Sequence, residues 1–144
     1  MKKIFIDSSV LVAACASKKG ASALILAYCR QKKVKGYFSP EVIGEAKKNV
    51  NLKLLPPAKK RLFILLQLTN LSLVPSSSVE GINRCESFID KKDAPILAAA
   101  LKSPAQFLIT LDKKHFFKPR VTENITNLQI ITPRDFVLKV LKLR

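Results

Sequence analysis

Ile4-Phe5-Ile6-Asp7-Ser8-Ser9-Val10-Leu11 decides how the rest of the chain is read. Three β-favouring apolar residues without polar alternation mark a strand buried on both faces, as in a parallel sheet. The run stops at Asp7, and the small polar Ser8 and Ser9 suit the opening of a helix over Val10 to Ala16. A buried strand that ends on a carboxylate and runs straight into a helix is the first unit of an α/β fold. The same segment disposes of another reading. Met1-Lys2-Lys3, followed by apolar residues and Val12-Ala13-Ala14-Cys15, imitates a lipoprotein leader, but Asp7-Ser8-Ser9 interrupts the apolar run. No other stretch approaches transmembrane length without charges. The expectation is a cytoplasmic protein that makes no membrane contact.

Working outward, Lys18-Lys19-Gly20 breaks the chain, and Ala21 to Lys33 reads as a second helix with Leu24, Ala27 and Tyr28 at core spacing. Gly36-Tyr37-Phe38 is a brief strand. Ser39-Pro40 then supplies a cap and a first-turn proline for a helix carrying Glu41 and Glu45. After Pro56-Pro57 a helix runs to about Asn70, with Leu62, Leu65, Leu66 and Thr69 on one stripe. Leu71 to Val74 is strand-like, Pro75 to Ser78 a loop, and Val79 to Ile89 fits a helix without a decisive stripe. Asp93 opens a helix whose inner face is Ala94, Leu97, Ala98 and Leu101; Pro95 falls in its first turn, where no backbone donor is lost. Phe107 to Leu111 and Leu128 to Ile131 are strands, and Thr132-Pro133-Arg134-Asp135 caps a last helix reaching the C-terminus. Strands alternating with helices predict a central parallel sheet of about five strands in a three-layer α/β/α sandwich. A length of 144 residues and 48% hydrophobic content suit one domain over residues 1–144 with a real core.

Charge narrows the partners. The chain has 26 Lys and Arg against 10 Asp and Glu, a net charge of +16. Such a surplus favours a polyanion, nucleic acid first and an acidic membrane surface second, although lysine-rich surfaces also serve solubility. Cys15, Cys29 and Cys85 form no C-x-x-C pair and are odd in number. Buried, reduced thiols are expected, not a zinc site or a disulfide framework.

Few as the acids are, four stand at special places. Asp7 and Asp112 each follow a strand, Asp93 begins a helix, and Glu45 lies one turn inside another. In open parallel sheets the ends of strands and the helices leaving them meet at one edge, where ligands bind. Taken singly, Asp7 or Asp93 is a helix cap, Asp112 a turn residue and Glu45 a solvated helix residue. Taken together, they would crowd carboxylates that repel one another and take up protons unless a cation offsets them. Oxygen-only ligation suits Mg²⁺ or Mn²⁺, ions that promote phosphodiester hydrolysis.

Four blocks of the chain resemble those of the PIN domain family, over nearly its whole length. They are Ile4-Phe5-Ile6-Asp7-Ser8-Ser9-Val10-Leu11, Pro40-Glu41-Val42-Ile43-Gly44-Glu45, Asp90-Lys91-Lys92-Asp93-Ala94-Pro95-Ile96-Leu97-Ala98-Ala99-Ala100 and Leu108-Ile109-Thr110-Leu111-Asp112-Lys113-Lys114-His115-Phe116. The resemblance implies an α/β/α sandwich and a Mg²⁺- or Mn²⁺-dependent endoribonuclease with Asp7, Glu45, Asp93 and Asp112 as its catalytic and metal-binding acids. It further implies the group of small VapC-type toxins, which are held inactive by a small antitoxin and are often homodimers. Where many relatives carry a further acid after the fourth, this chain reads Lys113-Lys114-His115. Asp90 is a candidate to contribute there, and Ser9 and Thr110 are candidates to orient carboxylates. His115, the only histidine, reads as a surface residue beside Lys113 and Lys114 and receives no chemistry.

Lys113, Lys114, Lys118 and Arg120 are the cations expected to meet RNA phosphates, being nearest in sequence to Asp112. Phe116 and Phe117 are either base-stacking or core residues, with core packing expected for at least one. Beside the toxin reading stand a PIN-like module that binds RNA or protein without cutting, and a nuclease of RNA maturation. An aspartyl phosphatase using Asp7 ordinarily wants an acid two residues on, where this chain has Ser9.

Overall fold

The computed structural model describes residues 1–54 and 56–143. Five strands form one parallel sheet in the order β3-β2-β1-β4-β5. They are β1 (Lys2–Ile6), β2 (Val34–Phe38), β3 (Ser72–Leu73), β4 (Phe107–Ile109) and β5 (Gln129–Ile131). Ile4, Phe5 and Ile6 are fully buried, as a central strand covered on both faces requires. The chain builds outward from β1 to β2 and β3, then returns to β1's other side for β4 and β5. The strand order therefore reverses beside β1, which places the crevice for a ligand at the carboxyl ends of β1 and β4.

Helices α1 (Ser8–Ala16), α2 (Ala21–Arg30), α3 (Pro40–Lys53), α4 (Pro56–Leu68), α5 (Val79–Glu86) and α6 (Ala94–Lys102) flank the sheet as an α/β/α sandwich. α1 packs on α2, α3 and α4, and α5 packs on α6. Short helices α7 (Lys113–Phe116), α8 (Pro119–Thr122) and α9 (Pro133–Asp135) follow, and α9 continues into a π-helical turn, Phe136–Val140. No single helix among the described residues is long and apolar enough to cross a membrane.

Several expectations are corrected. The second helix ends at Arg30, not Lys33, because Lys32 turns left-handed at φ 61° and Lys33 N–H bonds back to the Tyr28 carbonyl. Its buried stripe is Ser22, Ile25, Leu26 and Cys29, while Leu24 is exposed. Both phases of that helix are apolar, so spacing alone did not choose between them. β4 stops at Ile109 instead of Leu111. The last helix does not run on regularly: the Thr132 hydroxyl caps it by accepting Asp135 N–H at 3.1 Å, but Leu141 N–H reaches the Phe136 carbonyl five residues back. Phe136 is buried edge-on against Phe107 of β4, with ring centroids 5.4 Å apart.

The three cysteines are free and buried. Burial pushes the Cys15 thiol up to about 11 and that of Cys29 to about 12. Gly36 sits mid-strand in β2, opposite Ile4, where an added Cβ would press on the side chains of Leu71 and Cys29. Gly36→Ala is expected to cost about 1–3 kcal/mol, the range for overpacking a core. A lowered urea midpoint at unchanged slope would show it.

Candidate metal centre

The sheet itself delivers the first two site positions. Asp7 N–H bonds to the Ile109 carbonyl at 3.0 Å, extending the β1–β4 ladder one step past Ile6. Thr110 N–H likewise bonds to the Ile131 carbonyl at 3.1 Å. Asp7 and Thr110 are therefore held side by side at the strand ends. The Thr110 hydroxyl donates to Asp7 Oδ2 at 2.7 Å and accepts Asp112 N–H at 3.0 Å. The Ser9 hydroxyl donates to the same Oδ2 at 2.7 Å and accepts Leu111 N–H at 3.0 Å. Each hydroxyl spends its single proton on Asp7 and takes a backbone donor in return. Asp7 stands at the cap position of α1 but makes no side-chain cap hydrogen bond.

Glu45 reaches the same crevice from α3, with its Oε1 accepting the Ser8 hydroxyl at 2.9 Å. Asp112 caps α7 by accepting His115 N–H at 3.2 Å. Asp7, Ser8, Ser9, Glu45 and Asp112 line one cleft of about 570 Å³, whose cations are Lys48, Lys53 and Lys92.

Asp93 gives the clearest departure from an ordinary role. It begins α6 with helical backbone angles and no side-chain cap hydrogen bond. It is 4% exposed, and its Oδ2 has no hydrogen-bond partner among the described residues. Burial raises its pKa to about 6; the Asp112 and Glu45 charges push the same way, and His115 and Lys92 oppose them. Asp7 is also raised, mainly by burial, with the Ser9 and Thr110 hydroxyls pulling it back and Glu45 adding to the rise. A buried, unpartnered carboxylate oxygen in electrostatic range of the Asp112 and Glu45 carboxylates is a donor a hard divalent ion would satisfy.

His115 is the residue sequence reasoning missed. Far from a surface position, its side chain is 15% exposed, with Nδ1 2.8 Å from Asp112 Oδ2 and 3.8 Å from Asp93 Oδ2, and Nε2 3.2 Å from Asp90 Oδ2. The available signal was its spacing of three residues from Asp112, which places it over that carboxylate within one helical turn.

The expected phosphate-binding cations do not line the acidic cleft. Lys113 and Lys114 are exposed on α7. Lys118 and Arg120 line, with Asp90 and His115, a separate recess of about 300 Å³, and Arg120 donates to the Ser87 carbonyl at 2.6 Å. Phe116 is buried in the core and Phe117 half-buried.

Thr110→Val keeps the branched shape but removes both hydroxyl roles. Mn²⁺ affinity, read by calorimetry, is expected to fall about 10–100-fold, the usual cost of losing a residue that orients a ligand. Unfolding free energy should drop about 1–3 kcal/mol as Asp112 N–H loses its partner. Unchanged Mn²⁺ affinity would separate Thr110 from ion binding.

The PIN domain family model matches residues 3–114. No curated protein matches the chain by sequence. Among solved structures, PAE2754 from Pyrobaculum aerophilum superposes with a TM-score of 0.65 at 15% identity, covering 99% of this chain and 97% of its own. VapBC2 from Rickettsia felis, bound to a DNA fragment from its promoter, gives 0.62 at 18% identity, covering 90% and 98%. Mycobacterium tuberculosis VapC20, a sarcin–ricin loop cleaving toxin, gives 0.60 at 16% identity, covering 86% and 97%.

Proposed function

The chain belongs to the PIN domain family, and from that premise we propose that it is a Mg²⁺- or Mn²⁺-dependent endoribonuclease, the toxin of a toxin–antitoxin pair, acting in the cytoplasm as one domain. The observation that carries this reading is the meeting of Asp7, Glu45 and Asp112 on one cleft, with the unpartnered Asp93 in electrostatic range of two of them, in a protein of net charge +16. A toxin role is supported by the fold shared with VapC20 and VapBC2. Leu52 on α3 and Phe63, Ile64 and Leu68 on α4 are exposed apolar side chains, surface that an antitoxin or a second copy would cover.

Asp7, Asp93 and Asp112 would hold the ion directly, and Glu45 directly or through water. When bound, such an ion lowers the pKa of water, polarises a phosphodiester and offsets charge on the leaving oxygen. The protein's own groups do the positioning. Ser9 and Thr110 fix the Asp7 carboxylate, Ser8 fixes Glu45, and Thr110 holds the Asp112 backbone. Lys48, Lys53 and Lys92 would meet RNA phosphates at the cleft, with Lys113, Lys114, Lys118 and Arg120 extending the positive field beyond it. Hydrolysis would leave 5′-phosphate and 3′-hydroxyl ends. Incubation of total cellular RNA with Mg²⁺ or Mn²⁺ is expected to yield discrete fragments, lost with EDTA and in Asp7→Asn. Cleavage that survives both would sink the proposal.

A further inference from the structure

We infer that Asp90, Asp93 and His115 form a position for a softer divalent transition ion, of the Zn²⁺ or Co²⁺ type, with His115 ligating through Nε2. The inference rests on the function proposed above only in sharing Asp93 and Asp112 with it. One ligand atom from each of the three residues lies within 4.8 Å of the others. Proximity alone would be a cluster of charges. Two further observations make it a coordination site.

The first is Asp93 Oδ2, buried, without a hydrogen-bond partner among the described residues, and 3.8 Å from Nδ1 of the imidazole. The second is how the ring is held. Asp112 Oδ2 lies 2.8 Å from Nδ1, and the Asp112 carboxylate also accepts the His115 backbone N–H. Next in sequence, Phe116 is buried at 1% exposure and anchors the turn. In the tautomer protonated on Nδ1, Asp112 fixes the ring and Nε2 is left as a lone-pair donor. That is the usual arrangement of a metal-binding histidine, whose other nitrogen donates to a carboxylate. Asp90 Oδ2 stands 3.2 Å from Nε2, on the side where a ligand to the same ion would be.

Access is separate from the acidic cleft. The recess lined by Asp90, His115, Lys118 and Arg120 reaches this position from solvent and includes neither Asp7 nor Glu45. Chemistry also separates the two. Imidazole raises affinity along the first-row series and contributes little toward Mg²⁺, whereas carboxylates alone suit Mg²⁺. The chain thus offers an all-oxygen position and a mixed nitrogen–oxygen position that meet at Asp93. An ion in the second would draw on the carboxylate needed by the first, so Zn²⁺ is expected to compete with Mg²⁺.

Because His115 is the only histidine, long-range ¹H–¹⁵N spectra of the full chain report one imidazole without assignment. One equivalent of Zn²⁺ is expected to move the Nε2 resonance to the coordinated range and leave Nδ1 protonated. Millimolar Mg²⁺ should raise the melting temperature without moving Nε2. His115→Gln, checked for folding by circular dichroism, should weaken Zn²⁺ at least tenfold in calorimetry and weaken Mg²⁺ by a smaller factor, through the contact of the ring with Asp112. Zn²⁺ that binds without perturbing the imidazole, or a ring with both nitrogens protonated throughout, would overturn the inference and leave the proposed nuclease untouched. Engagement of the ring by Zn²⁺ with no Mg²⁺ response or cleavage would sink the nuclease reading instead.

Discussion

Asp93→Asn is expected to silence RNA cleavage and, in the same protein, to raise the melting temperature of the metal-free chain. The two effects share one cause. Asp93 is 4% exposed with an unpartnered Oδ2, and its pKa is lifted to about 6, chiefly by burial. Keeping that side chain ionised at pH 7.5 costs folding on the order of 2–3 kcal/mol, at 1.36 kcal/mol per pKa unit. Asparagine keeps the shape and removes the charge. A gain of about 1–3 kcal/mol should appear as a rise of several degrees in EDTA. Cleavage should fall on the order of 10³-fold, because the electrostatic help of a bound ion is worth several kcal/mol at tenfold per 1.4 kcal/mol. Divalent ion should then reverse the ranking, stabilising wild type and not the variant. Asp135→Asn serves as a control. That carboxylate is exposed and 3.8 Å from an exposed Lys139, so its loss should shift stability by no more than about 0.5 kcal/mol. A metal-free Asp93→Asn that melts lower than wild type, or that still cuts, would remove Asp93 from the site.

The four acids of the candidate site could be picked out before the fold because acids are scarce in this chain. A chain with 10 acids among 144 residues has few to place, and those that end strands or open helices stand out. Strand β1 was equally plain, since Ile4-Phe5-Ile6 admits little besides a buried parallel strand. What stayed hidden depends on three dimensions. For His115 the sequence offers only the three-residue spacing from Asp112; the inward placement is completed by the burial of Phe116 beside it, with the ring over Asp112. The placement of the cations was hidden for a related reason. Lys118 and Arg120 are close to Asp112 along the chain, yet the cleft takes its cations from α3 and from the loop before α6, Lys48, Lys53 and Lys92. Sequence distance is a poor guide where a parallel sheet brings separate βα units to one edge. The phase of α2 and the π-turn at Phe136 are packing decisions, set by which of several apolar side chains meets β4 and α1.

Ion binding should depend on pH with a sign that the two raised carboxylates dictate. In the metal-free protein, native Asp93 takes up its proton near pH 6, whereas the unfolded chain does so near 3.8. Between those values the native state binds more protons than the unfolded one, so stability falls as pH rises from about 4 to 6, and the penalty is complete above that. Asp7 is raised as well and adds in the same direction. A divalent ion competes with these protons for the same oxygens, so its affinity should be full above pH 7 and decline up to about tenfold per unit below 6. At an ion concentration of about 100 times Kd the stabilisation is about 2.7 kcal/mol, or roughly 10 °C for a chain of this size. Melting curves in Mg²⁺ or Mn²⁺ against EDTA should therefore diverge by that much at pH 7.5 and by only about half as much at pH 5, where a tenfold weaker affinity leaves about 1.4 kcal/mol. In Asp93→Asn the gap should be small at both. A gap of equal size at the two pH values would mean that the ion binds to groups other than these buried carboxylates, and the cleft at the ends of β1 and β4 would lose its assignment.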